Sequence, residues 1–444
     1  MNKTLTYTIV TTLICLLSLG QTLAQNFNKE KMDSLFMIYE EYNRGMGSIS
    51  LFQDGREVYK KSIGYADLEN EIKSNNNTQY RIGSITKMFT AVLVMRMVEA
   101  GKLNLDQKLE EFYPTVPNSE KISIEQLLRH RSGIFNITAA DDYLEWNEKS
   151  IDKEEMLDKI TSFESQFEPG TKAEYSNANY ILLTYILEEL NGISYTELLN
   201  SEICDHCNLK RTEVGDRIET DKNEALSYFP ANPWNLASET DMSVPLGAGS
   251  MVSTPSELNN FLECLYNGNL VSDESLSQMM ELEDNFGIGM FTVPFYDKQG
   301  YGHTGGIDGF NASAFHFMDE DLSVSYTSNG MKSPINNLMI GVLSIYFGMD
   351  YQLPEFSETI VMKTADLEKY NGVYSSEGFP MKLTITAEND QLKAQGTGQP
   401  SFILEPLGDH KFQYESAGLV VTFNPEKSTL VFEQMGATYE LTRE

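Results

Sequence analysis

The chain reads as a mixed α/β protein of the α+β kind: an antiparallel sheet flanked by helices, an all-helical insertion, and a small all-β barrel at the C-terminal end. Three features of the 444 residues predict this. Apolar and polar residues alternate around 47–65 and again, or run apolar, over 286–328, as strands do. Between these ends, from Ile85 to about Leu199, the period is helical. Beyond Leu353 come short strand-like runs at a spacing that suits a barrel.

In chain order, Lys3 precedes the apolar stretch Ile9 to Leu19, and Thr22, Leu23 and Ala24 form a cleavage-like end. Residues 1–24 are expected to be a secretory signal peptide, because the run is shorter than the roughly 20 residues a membrane-crossing helix needs. Cleavage near Ala24 leaves an exported, periplasmic protein without a stable transmembrane anchor. Cys15 lacks small residues just before it, so a lipid-anchored cysteine is not expected. A helix over Met32 to Tyr42 then leads to a hairpin of Ser48 to Phe52 and Glu57 to Ile63, turned at Asp54-Gly55.

Met88, Val92, Met95 and Val98 mark a helix that Gly101 ends, and further helices are expected at Ile124 to Arg129 and Asn179 to Leu190. Asp141 to Glu168 is acidic and poor in large apolar side chains, which predicts an exposed excursion or lid, with a solvated surface of no role favoured. After Gly247 to Ser253, Thr254 can cap a helix that has Pro255 in its first turn. Strands are expected at Phe286 to Val293, Tyr301 to Gly305, Phe310 to Phe317 and Leu322 to Ser328, and a closing helix at Ile335 to Phe347. The barrel strands are placed at 372–374, 382–386, 391–394, 402–405, 411–414, 420–423, 430–433 and 438–441. The resulting domains are 25–350 and 367–444, joined by a linker over 351–366.

Composition narrows the function. Thirty-three Lys and Arg stand against 65 Asp and Glu, a net charge of -32, which repels phosphate backbones and disfavours nucleic acid as a partner. Cys204, Cys207 and Cys264 allow at most one disulfide, and a local Cys204–Cys207 bond is one option. Zinc is disfavoured, because the Cys204-x-x-Cys207 pair has no second pair and the chain has only 5 His.

The chemistry is concentrated in three places. Gly83-Ser84-Ile85-Thr86-Lys87 lies where a loop enters a helix, so Ser84 stands at the N-terminus with Lys87 one turn on, on the same face. A desolvated lysine can share a proton with serine. A helix cap followed by a surface lysine is the alternative. Tyr175-Ser176-Asn177 follows the turn Glu168-Pro169-Gly170, and a tyrosine beside Lys87 can exist partly as phenolate and take the Ser84 proton. Asn177 suits holding Lys87 and a substrate carbonyl. In Gly302-His303-Thr304-Gly305-Gly306 a strand runs into small residues. The Gly306 and Ser84 amides are the candidate oxyanion hole, with His303 and Thr304 orienting the substrate and the tyrosine-lysine network.

In order and approximate spacing these pieces resemble the serine beta-lactamase and penicillin-binding protein superfamily, in particular its class C beta-lactamase, D-alanyl-D-alanine carboxypeptidase and esterase branch. Tyr80 to Lys87 looks like the family nucleophile segment, Tyr175-Ser176-Asn177 like its second motif, and His303-Thr304-Gly305 like its third, where lysine is usual. Ile124 to Ile134 and Gly247 to Ser253 are supporting matches, and Leu367 to Leu441 looks like the lipocalin-like domain of some relatives.

The resemblance implies a beta-lactamase/transpeptidase-like sheet and a hydrolase that acylates Ser84, with Lys87 and Tyr175 catalytic and Tyr175 the favoured base. It implies Asn177, His303, Thr304 and Gly305 in substrate binding, and no metal or organic cofactor. Histidine in place of lysine weakens recognition of a substrate carboxylate. The expected partner is a small peptide, ester or beta-lactam, with D-amino-acid peptides or cell-wall fragments ahead of small esters and beta-lactams. A catalytically inactive sensor or binding protein is the lower-ranked alternative.

Overall fold

The computed structural model describes residues 27–444 apart from 232, 357–359, 361, 400 and 435. The expected signal peptide and Cys15 therefore lie outside the described residues. Strands β1 (Gly45–Gln53) and β2 (Arg56–Ile63) form the hairpin around Asp54-Gly55. They join β3 (Phe291–Phe295), β4 (Lys298–Ile307), β5 (Phe310–Phe317) and β6 (Leu322–Met331). The result is one antiparallel six-stranded sheet in the order β3-β4-β5-β6-β1-β2. The two strand-rich ends of the domain thus share a sheet.

Period-two patterning sorts the two faces. Ile49 and Leu51 of β1, with Val324 and Tyr326 of β6, point to a core made with helices α1 (Lys29–Glu41) and α5 (Ile335–Tyr346). Between them alternate Ser48, Ser50, Ser323, Ser325 and Thr327, all buried. These small residues let helix α4 (Pro255–Tyr266) lie close to the opposite face, where Asn259 donates to the Ser50 carbonyl at 2.8 Å and accepts from Ser325 Oγ at 2.7 Å. Thr254 caps α4 by accepting from the Glu257 amide, as expected.

Helix α2 (Thr86–Glu99) is apolar nearly all round and forms the axis of the larger core, with α3 (Asn177–Asn191) beside it. A helix buried on every side must satisfy its one interior ionisable side chain locally. That side chain is Lys87.

Three details differ from expectation. The chain reaches strand conformation only at Phe291, and Phe286 instead packs its ring against His130 and Tyr175. The acidic stretch 141–168 contains a helix, Lys153–Ser162, capped by Asp152, and its Met156 and Ile160 are core residues one helical turn apart. Cys207 pairs with Cys264 of α4, leaving Cys204 as a free buried thiol, so the Cys204-x-x-Cys207 spacing marks no local bond.

The C-terminal strands β7 (Gly372–Ser375), β8 (Leu383–Glu388), β9 (Gln391–Gly396), β10 (Phe402–Gly408), β11 (Lys411–Tyr414), β12 (Leu419–Asn424), β13 (Thr429–Gln434) and β14 (Ala437–Arg443) close into a barrel in sequence order. Leu383, Leu392, Leu404, Phe412, Phe423 and Leu430 fill its interior. Tyr351, Leu353 and Phe356 pack against the α1/α5 core, so the packing of the first domain runs past residue 350. Arg44 joins the two domains, donating to Glu405 at 2.8 Å and Glu415 at 3.1 Å. Among the described residues no helix is long and apolar enough to cross a membrane.

Candidate active site

Ser84 sits in a single 3-10 turn, Gly83–Ile85, that feeds directly into α2, and this places Lys87 one turn above it. Gly83 adopts φ +50°, and a Cβ there would stand 2.7 Å from the Gly306 nitrogen. A side chain at Gly305 would strike the Ile82 carbonyl. The glycines of the Ser84 turn and of β4 therefore allow two distant chain segments to touch. This contact sets Gly306 beside Ser84.

Tyr175 lies just before α3, and its hydroxyl donates to Ser84 Oγ at 2.7 Å. Lys87 Nζ is 3.1 Å from the same oxygen. It also donates to Asn177 Oδ1 at 2.8 Å and to the Ala248 carbonyl at 2.7 Å. The Asn177 amide is fixed with its oxygen toward Lys87, because its Nδ2 donates to Asn136 Oδ1 and Thr138 Oγ1, each at 3.2 Å. Burial pushes the Lys87 ammonium well below its usual pKa and raises that of the Tyr175 phenol, against a smaller lowering from the Ser84 hydrogen bond. Both effects favour the uncharged side chains.

His303 is buried, its Nδ1 against the Thr304 carbonyl and its ring 4.7 Å from Phe291. Burial first, and then the nearby Lys87, lowers its pKa to about 3, so it carries no charge at neutral pH. Thr304 is exposed beside it, and Gly305 makes the approach to Ile82.

Several contributors carried no clear signal in the sequence. His130, fully enclosed, lays its ring 4.4 Å from that of Tyr175 and accepts the Ser176 amide on Nδ1 at 3.2 Å. That bond fixes the tautomer with its proton on Nε2. The Ala248 carbonyl, Asn136 and Thr138 complete the Lys87–Asn177 arrangement. Tyr143, Leu144 and Asn147, from the acidic stretch expected to be an exposed excursion or lid, with a surface of no role favoured, line one wall of the cleft. The cleft, about 320 Å³, also exposes Ser84, Asn177, Phe229, Thr240, Gly306 and Asp308.

A serine at a helix start, a lysine one turn on, a tyrosine before the next long helix and a glycine-lined strand edge are now in one place. The profile of the beta-lactamase family matches residues 25–339. The chain belongs to the beta-lactamase family.

Within this family it is 25% identical over 455 residues to a penicillin-binding protein of Bacillus subtilis, covering 94% of this chain and 99% of that one. It is 24% identical over 270 residues to the teichoic acid D-alanine hydrolase of Staphylococcus aureus, covering 59% of this chain and 66% of that one. Among solved structures it resembles the D-amino acid amidase from Ochrobactrum anthropi SV3, with a TM-score of 0.66, 23% identity, and 72% of this chain and 98% of that one covered. The octameric penicillin-binding protein homologue from Pyrococcus abyssi has a TM-score of 0.65 at 22% identity, with 94% and 98% covered. At these identities the structural likenesses establish the fold. The beta-lactamase-like domain and the closed barrel appended to it agree with the family resemblance seen in the motifs.

Proposed function

We propose that the protein is an exported serine hydrolase that cleaves amide or ester bonds of D-amino-acid derivatives through an acyl group carried on Ser84. The observation that carries this reading is the meeting of Ser84 Oγ with Tyr175 Oη at 2.7 Å and Lys87 Nζ at 3.1 Å beside an open cleft. A neutral Lys87 has two N–H groups for Asn177 and Ala248 and keeps a lone pair for the Ser84 proton. Ser84 then attacks the carbonyl carbon while its proton passes to Lys87, and the oxyanion is held by the Ser84 and Gly306 amides. Tyr175 protonates the departing nitrogen or oxygen as the bond to carbon breaks, and the Lys87 ammonium offsets the charge left on the phenolate. Water enters by the reverse sequence. Lys87 is thus the first proton acceptor and Tyr175 the acid, which inverts the order expected from the motifs.

The substrate class rests on charge. Among the described residues no lysine or arginine lines the cleft, and His303 is neutral. Acyl donors with a carboxylate near the scissile bond, penicillins among them, find little there to hold it. Two relatives, the D-amino acid amidase and the teichoic acid D-alanine hydrolase, point to the same D-amino-acid class. Export is supported by the Lys3 to Ala24 segment and by the Cys207–Cys264 bond, which persists in oxidising compartments.

The test is mass spectrometry and turnover with D-amino-acid anilides, activated esters, penicillins and cephalosporins, comparing the native protein with Ser84→Ala. The expected result is turnover or labelling of the D-amino-acid substrates that disappears in the variant. A native protein that neither turns over nor captures any of them is instead a binding or sensor protein.

A further inference from the structure

Resting on the reading of Ser84 and Gly306 as the oxyanion hole, we infer that the buried ion pair Arg81–Asp308 is the positioning device that holds the two halves of that hole together. Arg81 lies three positions before Ser84, and Asp308 two positions after Gly306. The segments come from opposite ends of the domain, and among the described residues no backbone hydrogen bond joins 82–86 to 303–308. Glycine contacts bring them together. Such contacts resist compression but do not resist sliding or separation, so a directional tie is needed.

Arg81 supplies one. Its side chain is 2% exposed and that of Asp308 3%, with Nη1 to Oδ2 at 3.1 Å. The guanidinium fork also donates to the Thr240 carbonyl at 2.8 Å, the Asp216 carbonyl at 3.0 Å and Glu239 Oε1 at 2.9 Å. Asp308 in turn accepts from Thr240 Oγ1 at 2.7 Å and from its amide at 3.2 Å. Thr240 Oγ1 accepts from Asn147 Nδ2 at 3.0 Å, which ties in the cleft wall formed by the acidic stretch. One planar cation thus fixes the nucleophile turn, the oxyanion strand and the opposite wall in a common frame, a geometry a lysine would not reproduce.

Asp308 lines the cleft, and this raises the alternative that it binds substrate directly. Its oxygens are already engaged by Arg81 and Thr240, so it acts through them. Displacing a reacting group by about 1 Å costs on the order of 100-fold in rate, and loss of one oxyanion donor costs about 100- to 1000-fold in kcat. Positioning is therefore felt in the transition state and little in substrate binding.

The experiment compares Asp308→Asn and Glu239→Gln with the native protein, using the p-nitroanilide and a p-nitrophenyl ester of D-alanine, a fluorophosphonate that labels serine nucleophiles, and thermal unfolding. Asp308→Asn keeps a similar shape and leaves Arg81 its Glu239 partner. The expected outcome is a kcat about 100-fold lower with KM within about 3-fold, and phosphonate labelling of Ser84 slowed in step with kcat/KM, beyond any change in unfolding temperature. Glu239→Gln, at the more exposed end of the same arginine, should lower kcat by about 3- to 10-fold with KM unchanged, and it serves as the test if Asp308→Asn does not fold. A rise in KM at constant kcat assigns Asp308 to substrate contact and overturns the inference, as does native kcat in the folded variants. A native protein without Ser84-dependent turnover or labelling fails at the parent reading instead.

Discussion

Among the described residues Lys87 has three polar neighbours and no carboxylate as a hydrogen-bond partner. An ammonium would satisfy all three acceptors, yet its charge would stand in a core with nothing to balance it, and burial governs the outcome. The sign of the pH effect follows. A base with a depressed pKa is neutral and active above that pKa and is lost as pH falls through it, so kcat/KM should show an acidic limb set by Lys87. His303, at about 3, stays neutral across this range and should not contribute. His303→Gln is accordingly expected to leave the limb in place even if the rate changes. Asn177→Asp puts a carboxylate 2.8 Å from Nζ and should move the limb to higher pH by roughly 1–2 units. Profiles of kcat/KM against pH for the three proteins decide it, and a limb that follows His303 would transfer the proton chemistry to the histidine.

Helix α4 shows what elements add to residues. It packs on the serine-rich face of the sheet and is stapled through Cys264 to Cys207, 57 positions earlier, at the end of the insertion. Closing a loop of that length stabilises the fold by about 4 kcal/mol in the chain-entropy account. Full reduction, or Cys264→Ser, should lower the melting temperature by roughly 5–10 °C. Cys204→Ser, which keeps the hydrogen-bond donor to the Thr212 carbonyl, should leave sensitivity to reductant intact. A melting temperature unmoved after thiol titration confirms reduction would remove the staple from the stability argument. The pairing also marks a limit of sequence reading. Ser84, Lys87, Tyr175 and Asn177 were legible because they lie at helix starts, where local rules fix the direction of a side chain. The choice of Cys264 over Cys204 depends on which helices become neighbours, and the place of His130 behind Tyr175 depends on a loop crossing the core. Met156 and Ile160 did carry a helical signal, which the acidity of their surroundings masked.

At the scale of the whole molecule, the charge of -32 says little about the site, which is governed by a few buried groups. It bears instead on how the two domains hold together, because Arg44 is one of only 33 Lys and Arg residues and is spent on Glu405 and Glu415 of the barrel. The same arginine lies 5.0 Å over the ring of Phe356, which meets Tyr39 of α1 edge-on at 5.2 Å. Tyr351 accepts from Lys31 Nζ on its carbonyl at 2.5 Å. Residues 351–356 therefore belong energetically to the first domain, although their polar texture reads as linker. Two truncated chains separate this packing from the barrel contacts, since endings at residue 350 and at residue 356 both release Arg44 from its carboxylates and differ only in the apolar segment. Each of Tyr351, Leu353 and Phe356 is half-buried, at about 1 kcal/mol apiece, so the shorter chain should be about 2–4 kcal/mol less stable in urea unfolding. The longer chain should unfold cooperatively and keep Ser84 labelling near that of the full protein, because none of the barrel's described residues lines the cleft. Equal stability of the two would place the domain boundary at 350, and loss of labelling in the longer chain would give the barrel a part in holding the site.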